Sequence, residues 1–352
     1  MAKKSVTDSF MRSLVKATGN ELASIMSDDA LSNTTEWIST GSRMLDGVIS
    51  ADVLKGIPNN KVIAFAGEES VGKTYLMLAI AKEAIKMGYI IAYFDSENAT
   101  EKEMVVKREI DPSKLIYVPV DTAEEFKNQA TAMVNKYNEN EDPTKPKMMI
   151  ILDSLGNLST NKEIADADKG ENKVDMSRNK VIKSIFRVLN LKLAKAKIPM
   201  LISGHVYVDT SSFIPKKVLS GGGGLKYAAS VILYLTKKAK KDKDGNILGV
   251  ELTARVAKSR YSREGSKAIM FLDYLRGLHL NYGLQEFGGE YLKKETKGWS
   301  LDGKPITEKE LWKMTWDDTL LNHINDNVKK AFAFGDGNVN DEIEIDEVED
   351  EE

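Results

Sequence analysis

The sequence predicts an α/β fold: a mostly parallel central sheet flanked by helices, with an N-terminal helix before it and a small C-terminal region after it. Three observations carry the prediction. Short apolar runs without polar alternation recur along the chain, as in VIAFAG (62–67), YIIAYFD (89–95) and KMMIILD (147–153), and such runs suit strands covered on both faces. Stretches with apolar residues at helical spacing separate them. The 352 residues are 42% hydrophobic and 29% charged, enough to bury a large core and too apolar for global disorder.

The elements follow in order. Residues 5–27 place Val6, Phe10, Leu14 and Ala17 at helical spacing, which predicts an amphipathic helix or a pair of helices. A polar stretch, SDDALSNTTEW (27–37), separates them from the rest. After the strand 62–67, residues 73–88 read as a helix closed by Gly88, and 89–95 as a strand. Residues 99–109 look helical, 115–120 form a short strand, 122–138 a helix and 147–153 a strand. A long basic helix over 174–197 precedes the strand IPMLISG (198–204). Two strands joined by the turn AKKDKDGN then make a hairpin that continues the sheet. The domain expectation is an N-terminal segment (1–34), a core (35–275), a small C-terminal region (276–335) and an acidic tail (336–352).

Several chemistries are excluded at once. With no cysteine there is no disulfide, thiol nucleophile or thiolate metal site, and His205, His279 and His323 are too scattered for a multi-histidine zinc site. The start lacks the apolar run of a signal peptide, and charges interrupt every apolar stretch, so the expectation is a cytoplasmic protein without a membrane span.

Residues 67–74, Gly67-Glu68-Glu69-Ser70-Val71-Gly72-Lys73-Thr74, match the phosphate-binding pattern G-x-x-x-x-G-K-[ST] in full, between a predicted strand and a predicted helix. The glycines let backbone N–H groups turn toward phosphates. Lys73 reaches the β- and γ-phosphates, the Thr74 hydroxyl ligates Mg²⁺, and the helix N-terminus adds its positive end. Two carboxylates extend the set. Asp153 ends a strand where such proteins place the acid that holds Mg²⁺. Glu97 follows the neighbouring strand in Asp95-Ser96-Glu97, where it can serve as general base toward a water or simply cap a helix. The expected cofactors are ATP and Mg²⁺.

GEESVGKT, YFDSEN, MMIILDSLGNL and SGGGGLKYAAS, in this order and spacing, resemble the RecA family of recombinases, as does the approach STGSRMLDGVISADVLKG (39–56). ILDSLGNLS and DMSRNKVIKSIFRVLN most resemble the UvsX group of T-even-type bacteriophages. The likeness covers residues 35–275 and implies a RecA-type P-loop ATPase core. It implies that Glu97 is the catalytic glutamate and Asp153 the Mg²⁺ acid. It further implies that His205 stands where the family senses the γ-phosphate. Lys258 and Arg260, in VAKSR, match two cations that reach the neighbouring subunit's nucleotide, so the active site would form between subunits. One position departs: Met104 falls where bacterial RecA has a tyrosine that stacks on adenine, which leaves the base preference open.

Two connections are long for an α/β fold, from Gly156 to about Lys173 and from Val206 to Gly224, and both leave the ends of strands where ligands bind. By resemblance they line a filament axis and hold DNA. Lys216 and Lys217 offer phosphate contacts, and Gly221, Gly222, Gly223 and Gly224 offer backbone freedom and close approach. Phe213 either wedges between bases or packs inside its own loop. Arg178 begins the basic helix nearest the first loop. The expected partners are single-stranded DNA, homologous duplex and further copies of the chain in a helical filament. A single-strand-binding protein and a mediator are expected as well.

The expected function is ATP-dependent strand exchange. A hexameric helicase on the same core would usually have a longer helical N-terminal domain than 34 residues allow. A non-catalytic paralogue acting as mediator would have no need of Glu97. The formal charge of −3 hides an asymmetry: residues 336–352 hold ten acids and no Lys or Arg, leaving 50 bases against 43 acids, a formal +7, on residues 1–335. An acidic tail of that kind is expected to compete with DNA for the basic body.

Overall fold

A computed structural model describes residues 6–335 except 29, 172–175, 210–215, 220–221, 243 and 297. Its first half runs α1 (Val6–Ala17), β1 (Trp37–Ile38), α2 (Arg43–Ser50), β2 (Ile57–Pro58), β3 (Val62–Gly67), α3 (Lys73–Lys86), β4 (Tyr89–Asp95), α4 (Lys102–Lys107), β5 (Leu115–Pro119), α5 (Ala123–Glu139) and β6 (Lys147–Asp153). Then come α6 (Asn161–Asp168), α7 (Arg178–Ala196), β7 (Met200–Asp209), β8 (Lys216–Leu219), α8 (Gly222–Ala228), β9 (Val231–Lys241), β10 (Ile247–Ser259), β11 (Lys267–Asp273) and β12 (Gly277–Leu278). The chain closes with β13 (Leu292–Glu295), β14 (Gly298–Leu301), β15 (Lys304–Ile306), α9 (Glu308–Lys313) and α10 (Asp318–Phe332).

The main sheet has ten strands in the order β12-β11-β10-β9-β3-β7-β6-β4-β5, with β8 on β7. From β9 through β3, β7, β6 and β4 to β5 every pairing is parallel. From β9 to β12 every pairing is antiparallel, and the expected hairpin is β9–β10. Alternation along each strand divides the core in two. In β3, Ile63 and Phe65 face a layer with α2, α3 and α10, while Val62, Ala64 and Ala66 face α5, α7 and α8. That double burial explains why the strands read as unbroken apolar runs. The C-terminal region shares the first layer: Trp299, Leu311, Trp316, Ile324, Val328 and Phe332 belong to the same apolar cluster as α2 and α3.

Several boundaries differ from the sequence reading, each for a local reason. The N-terminal helix stops at Ala17, because Gly19 takes a positive φ and Asn20 Oδ1 accepts from the Leu22 amide. The helix expected over 99–109 shrinks to α4, since the Asp95 carboxylate binds the Ala99 and Thr100 amides and keeps them in a loop. The connection after Gly156 is not a bare loop. It contains α6, started by Thr160 in a reciprocal cap with Glu163. The described residues of the second connection are regular as well: β7 runs on to Asp209, β8 returns antiparallel to it, and Gly222, Gly223 and Gly224 open α8 instead of supplying loop freedom.

Candidate functional site

The parallel order brings four sequence-distant positions to one edge. In register, Gly67 of β3 lies opposite His205 of β7, and Asp95 of β4 lies opposite Asp153 of β6. Chain reversal at these strand ends needs small residues where backbone crowds. A Cβ on Gly67 would sit 2.8 Å from Val71 Cγ1, and Gly72 takes φ 108°, a region that L side chains avoid. Ser70 also has positive φ, and its carbonyl accepts from Lys237 Nζ at 2.6 Å. Glu68, Glu69 and Ser70 are exposed, whereas Val71 is buried as the loop's anchor.

Lys73 begins α3 and is buried, its Nζ donating to the carbonyls of Gly67 (3.1 Å) and Glu68 (2.9 Å). Burial lowers its pKa, and the carboxylates of Glu97, Asp153 and Glu69 oppose that shift. The ammonium thus closes the loop on itself. Next to it, Thr74 Oγ1 donates to Asp153 Oδ2 at 2.6 Å. Tyr93 donates to the same oxygen at 2.8 Å, and Ser203 donates to Asp153 Oδ1. Burial, then the Asp153 charge, pushes the Tyr93 phenol well above its usual range, so it stays a donor.

This pair of oxygen ligands fits Mg²⁺. A hydroxyl and a single carboxylate, fixed by neighbours, are the sparse protein share that Mg²⁺ takes when phosphate oxygens and waters supply the rest. Among the described residues no cluster of three or more His, Asp or Glu forms a self-sufficient metal cage.

Glu97 and His205 meet, Oε1 to Nε2, at 3.2 Å, each about one-third exposed. The loop carrying Glu97 is held by Asp95, buried and accepting from the amides of Glu97, Ala99 and Thr100. Ser96 exchanges hydrogen bonds with Ser154, tying this loop to the residue after Asp153. Tyr93, Asp95, Ser96 and Ser203 do not stand out in the sequence. Only their place at the ends of apolar strands, where a polar residue must have a purpose, hints at them.

Other predicted residues lie apart. Lys258 and Arg260 stand at the end of β10, and among the described residues neither bonds to the cradle of its own chain. Lys258 Nζ instead donates to the carbonyls of Lys226 (2.6 Å) and Ala229 (2.8 Å), while the Arg260 amide donates to Ser230. Arg178 donates through one nitrogen to the carbonyls of Gly156 (2.9 Å) and Leu158 (3.0 Å), so it clamps the start of the first connection. Met104 is partly buried against the core and its carbonyl accepts from Arg108. Lys216 and Lys217 lie on β8, paired with Asp209 and Val208. Gly222 and Gly223 start α8, and Gly224 packs so closely on α7 that a Cβ would meet Lys183 backbone at 3.1 Å. Phe213, Gly221 and the tail 336–352 fall outside the described residues. No helix among the described residues is long and apolar enough to cross a membrane.

Comparison with known proteins identifies the family. The family model described as RecA N-terminal domain matches residues 6–279. The chain is 26% identical over 356 aligned residues to the recombination and repair protein of Enterobacteria phage T4, covering 95% of this chain and 89% of that protein. It is 24% identical to Protein RecA of Francisella philomiragia and of Francisella tularensis subsp. novicida, covering 87% of this chain and 82% of each. With the cradle, the strand-end carboxylates and a matching model over most of its length, the chain belongs to the RecA family.

Proposed function

We propose that this protein is an ATP-dependent recombinase that assembles on single-stranded DNA, pairs it with homologous duplex and hydrolyses ATP when DNA is bound. The observation that carries the reading is the Thr74–Asp153 contact of 2.6 Å beside the Glu97–His205 contact of 3.2 Å, at the mouth of a full phosphate cradle. A relative named as a recombination and repair protein supports it.

In this reading Lys73 turns from its loop carbonyls to the β- and γ-phosphates. Thr74 and Asp153 would hold Mg²⁺, which would supply positive charge against the phosphates. Glu97 takes the proton of the attacking water, and its loop, fixed by Asp95, sets its direction. His205 stands beside the same point and donates to a γ-phosphate oxygen while ATP is intact. Lys258 and Arg260 of the next subunit supply the positive charge that completes the site, so ATP binding and assembly require one another. The α1 helix docks on a neighbouring subunit, which covers its exposed Phe10 and Leu14. Residues of β8 and the segment around it contact DNA through its backbone, as a protein that leaves sequence to base pairing must.

The direct test is ATP hydrolysis by the purified protein with and without single-stranded DNA. Hydrolysis should rise with DNA, and a rate indifferent to DNA would sink the reading. Negative-stain electron microscopy with ATP and single-stranded DNA separates it from a helicase: filaments are expected, and closed rings would favour the other.

A further inference from the structure

The Lys258 ammonium has a resting place that its proposed role across the subunit interface does not account for. It donates to the carbonyls of Lys226 (2.6 Å) and Ala229 (2.8 Å), the last of which lies just past the end of α8. Those oxygens are among the carbonyls a helix leaves without partners at its C-terminus, where a cation is also favoured by the helix dipole. The reach is built into the strand. The β9–β10 register shifts between Val256 and Lys258, inserting Ala257 as an extra residue and re-aiming the side chain that follows. Ser259 pairs again with Val231 and the Arg260 amide binds Ser230, so the end of β10 is stapled to the α8–β9 junction. Burial, with Arg260 and Lys226 nearby, lowers the Lys258 pKa, and Glu264 opposes this. On its other side α8 is pressed on α7 through Gly224.

We propose that Lys258 is a positioning residue for α8, and that in the assembled filament the same ammonium leaves α8 for the neighbour's nucleotide. The first half stands on the contacts above. The second rests on the interface role proposed for Lys258. Two of the ammonium's three N–H groups are spent on these carbonyls, so it cannot turn its full donor set to a γ-phosphate in another subunit without leaving them, and the two seats compete. Since α8 directly follows the β7–β8 segment proposed to hold DNA, the neighbour's ATP acts on this subunit's DNA-contacting segment through the release of one helix end. Lys258 thereby carries the signal in the direction opposite to a sensor in its own cradle.

The test is hydrogen exchange, read by mass spectrometry, on the full chain. Without nucleotide or DNA, Lys258→Met should speed exchange of the backbone amides over 225–230 about tenfold relative to the parent. Equal exchange would overturn the resting seat, whatever the filament does. In filaments formed with a non-hydrolysable ATP analogue and single-stranded DNA, variant and parent should exchange alike over 225–230, because the parent's Lys258 has left. A difference that persists there would overturn the alternation while leaving the resting seat in place. To guard against a variant that does not assemble, it is ¹⁵N-labelled and doped as a minor fraction into parent filaments, so that labelled and unlabelled peptides are compared within one filament. Absence of filaments from the parent itself would count against the proposed function and not against the resting seat, which the nucleotide-free arm reads alone. Lys258→Arg, which can still reach both carbonyls, should restore the slow exchange of the unassembled state, and fast exchange in that variant would also overturn the seat.

Discussion

The cradle and the basic helix α7, which precedes the β7–β8 segment, hold their polar groups in opposite ways. At the cradle Lys73, Asp95, Asp153 and Ser203 are buried and bonded to one another or to backbone. On α7 the cations Lys180, Lys183 and Arg187 are exposed, while Ile182, Ile185 and Leu189 on the same helix are buried in the core. A fixed network and a free one suit different ligands. A metal ion, a γ-phosphate and an attacking water need partners fixed to fractions of an ångström, and only a buried network fixes them. A flexible polyanion of any sequence is held by charges that keep their freedom.

Substitutions should therefore be severe at the first region and graded at the second. Glu97→Gln should lower ATP hydrolysis about 10²- to 10⁴-fold, as loss of a general base does, while nucleotide-dependent assembly survives. If light scattering shows assembly lost along with hydrolysis, Glu97 is structural and the contrast fails. Ser203→Ala removes one donor to Asp153 and should cost about tenfold in hydrolysis, with more Mg²⁺ needed for half-maximal rate. An unchanged Mg²⁺ titration would mean that the buried bond does not orient the metal acid. On the other side, Lys217→Ala should weaken single-stranded DNA binding a few-fold and reduce the slope of log affinity against log salt by about 1. A slope that does not move excludes a phosphate contact. The smallest effect is expected from deleting residues 336–352, which should modestly tighten DNA binding or lower its magnesium requirement. Identical binding isotherms for the truncated and full chains would discard the tail as a competitor.

Much of the first region is legible in the sequence. Gly67, Gly72, Lys73 and Thr74 are bound to their spacing by the turn they must make, while Asp153 announces itself by ending an apolar strand and Glu97 by following one two residues on. Most of the network that holds them is not legible, because Tyr93, Ser96 and Ser203 act on residues distant in sequence. The second region reads less well. Long polar connections and a glycine run look like open loops, yet Thr160 caps a helix inside one of them, and Gly224 lies in a helix so close to α7 that a Cβ would meet Lys183 at 3.1 Å. Glycine serves flexibility and tight packing equally, and only the neighbour decides which.

By itself the sequence determined the parallel α/β core and the phosphate cradle, because strand burial and phosphate geometry leave local marks in residue type and spacing. Tertiary structure alone decided where the cations go. Arg178 clamps the chain at Gly156 and Leu158, and Lys258 sits on the end of α8. A long charged side chain takes the nearest unpaired carbonyl, and which carbonyl is nearest depends on elements that meet only when the sheet is assembled.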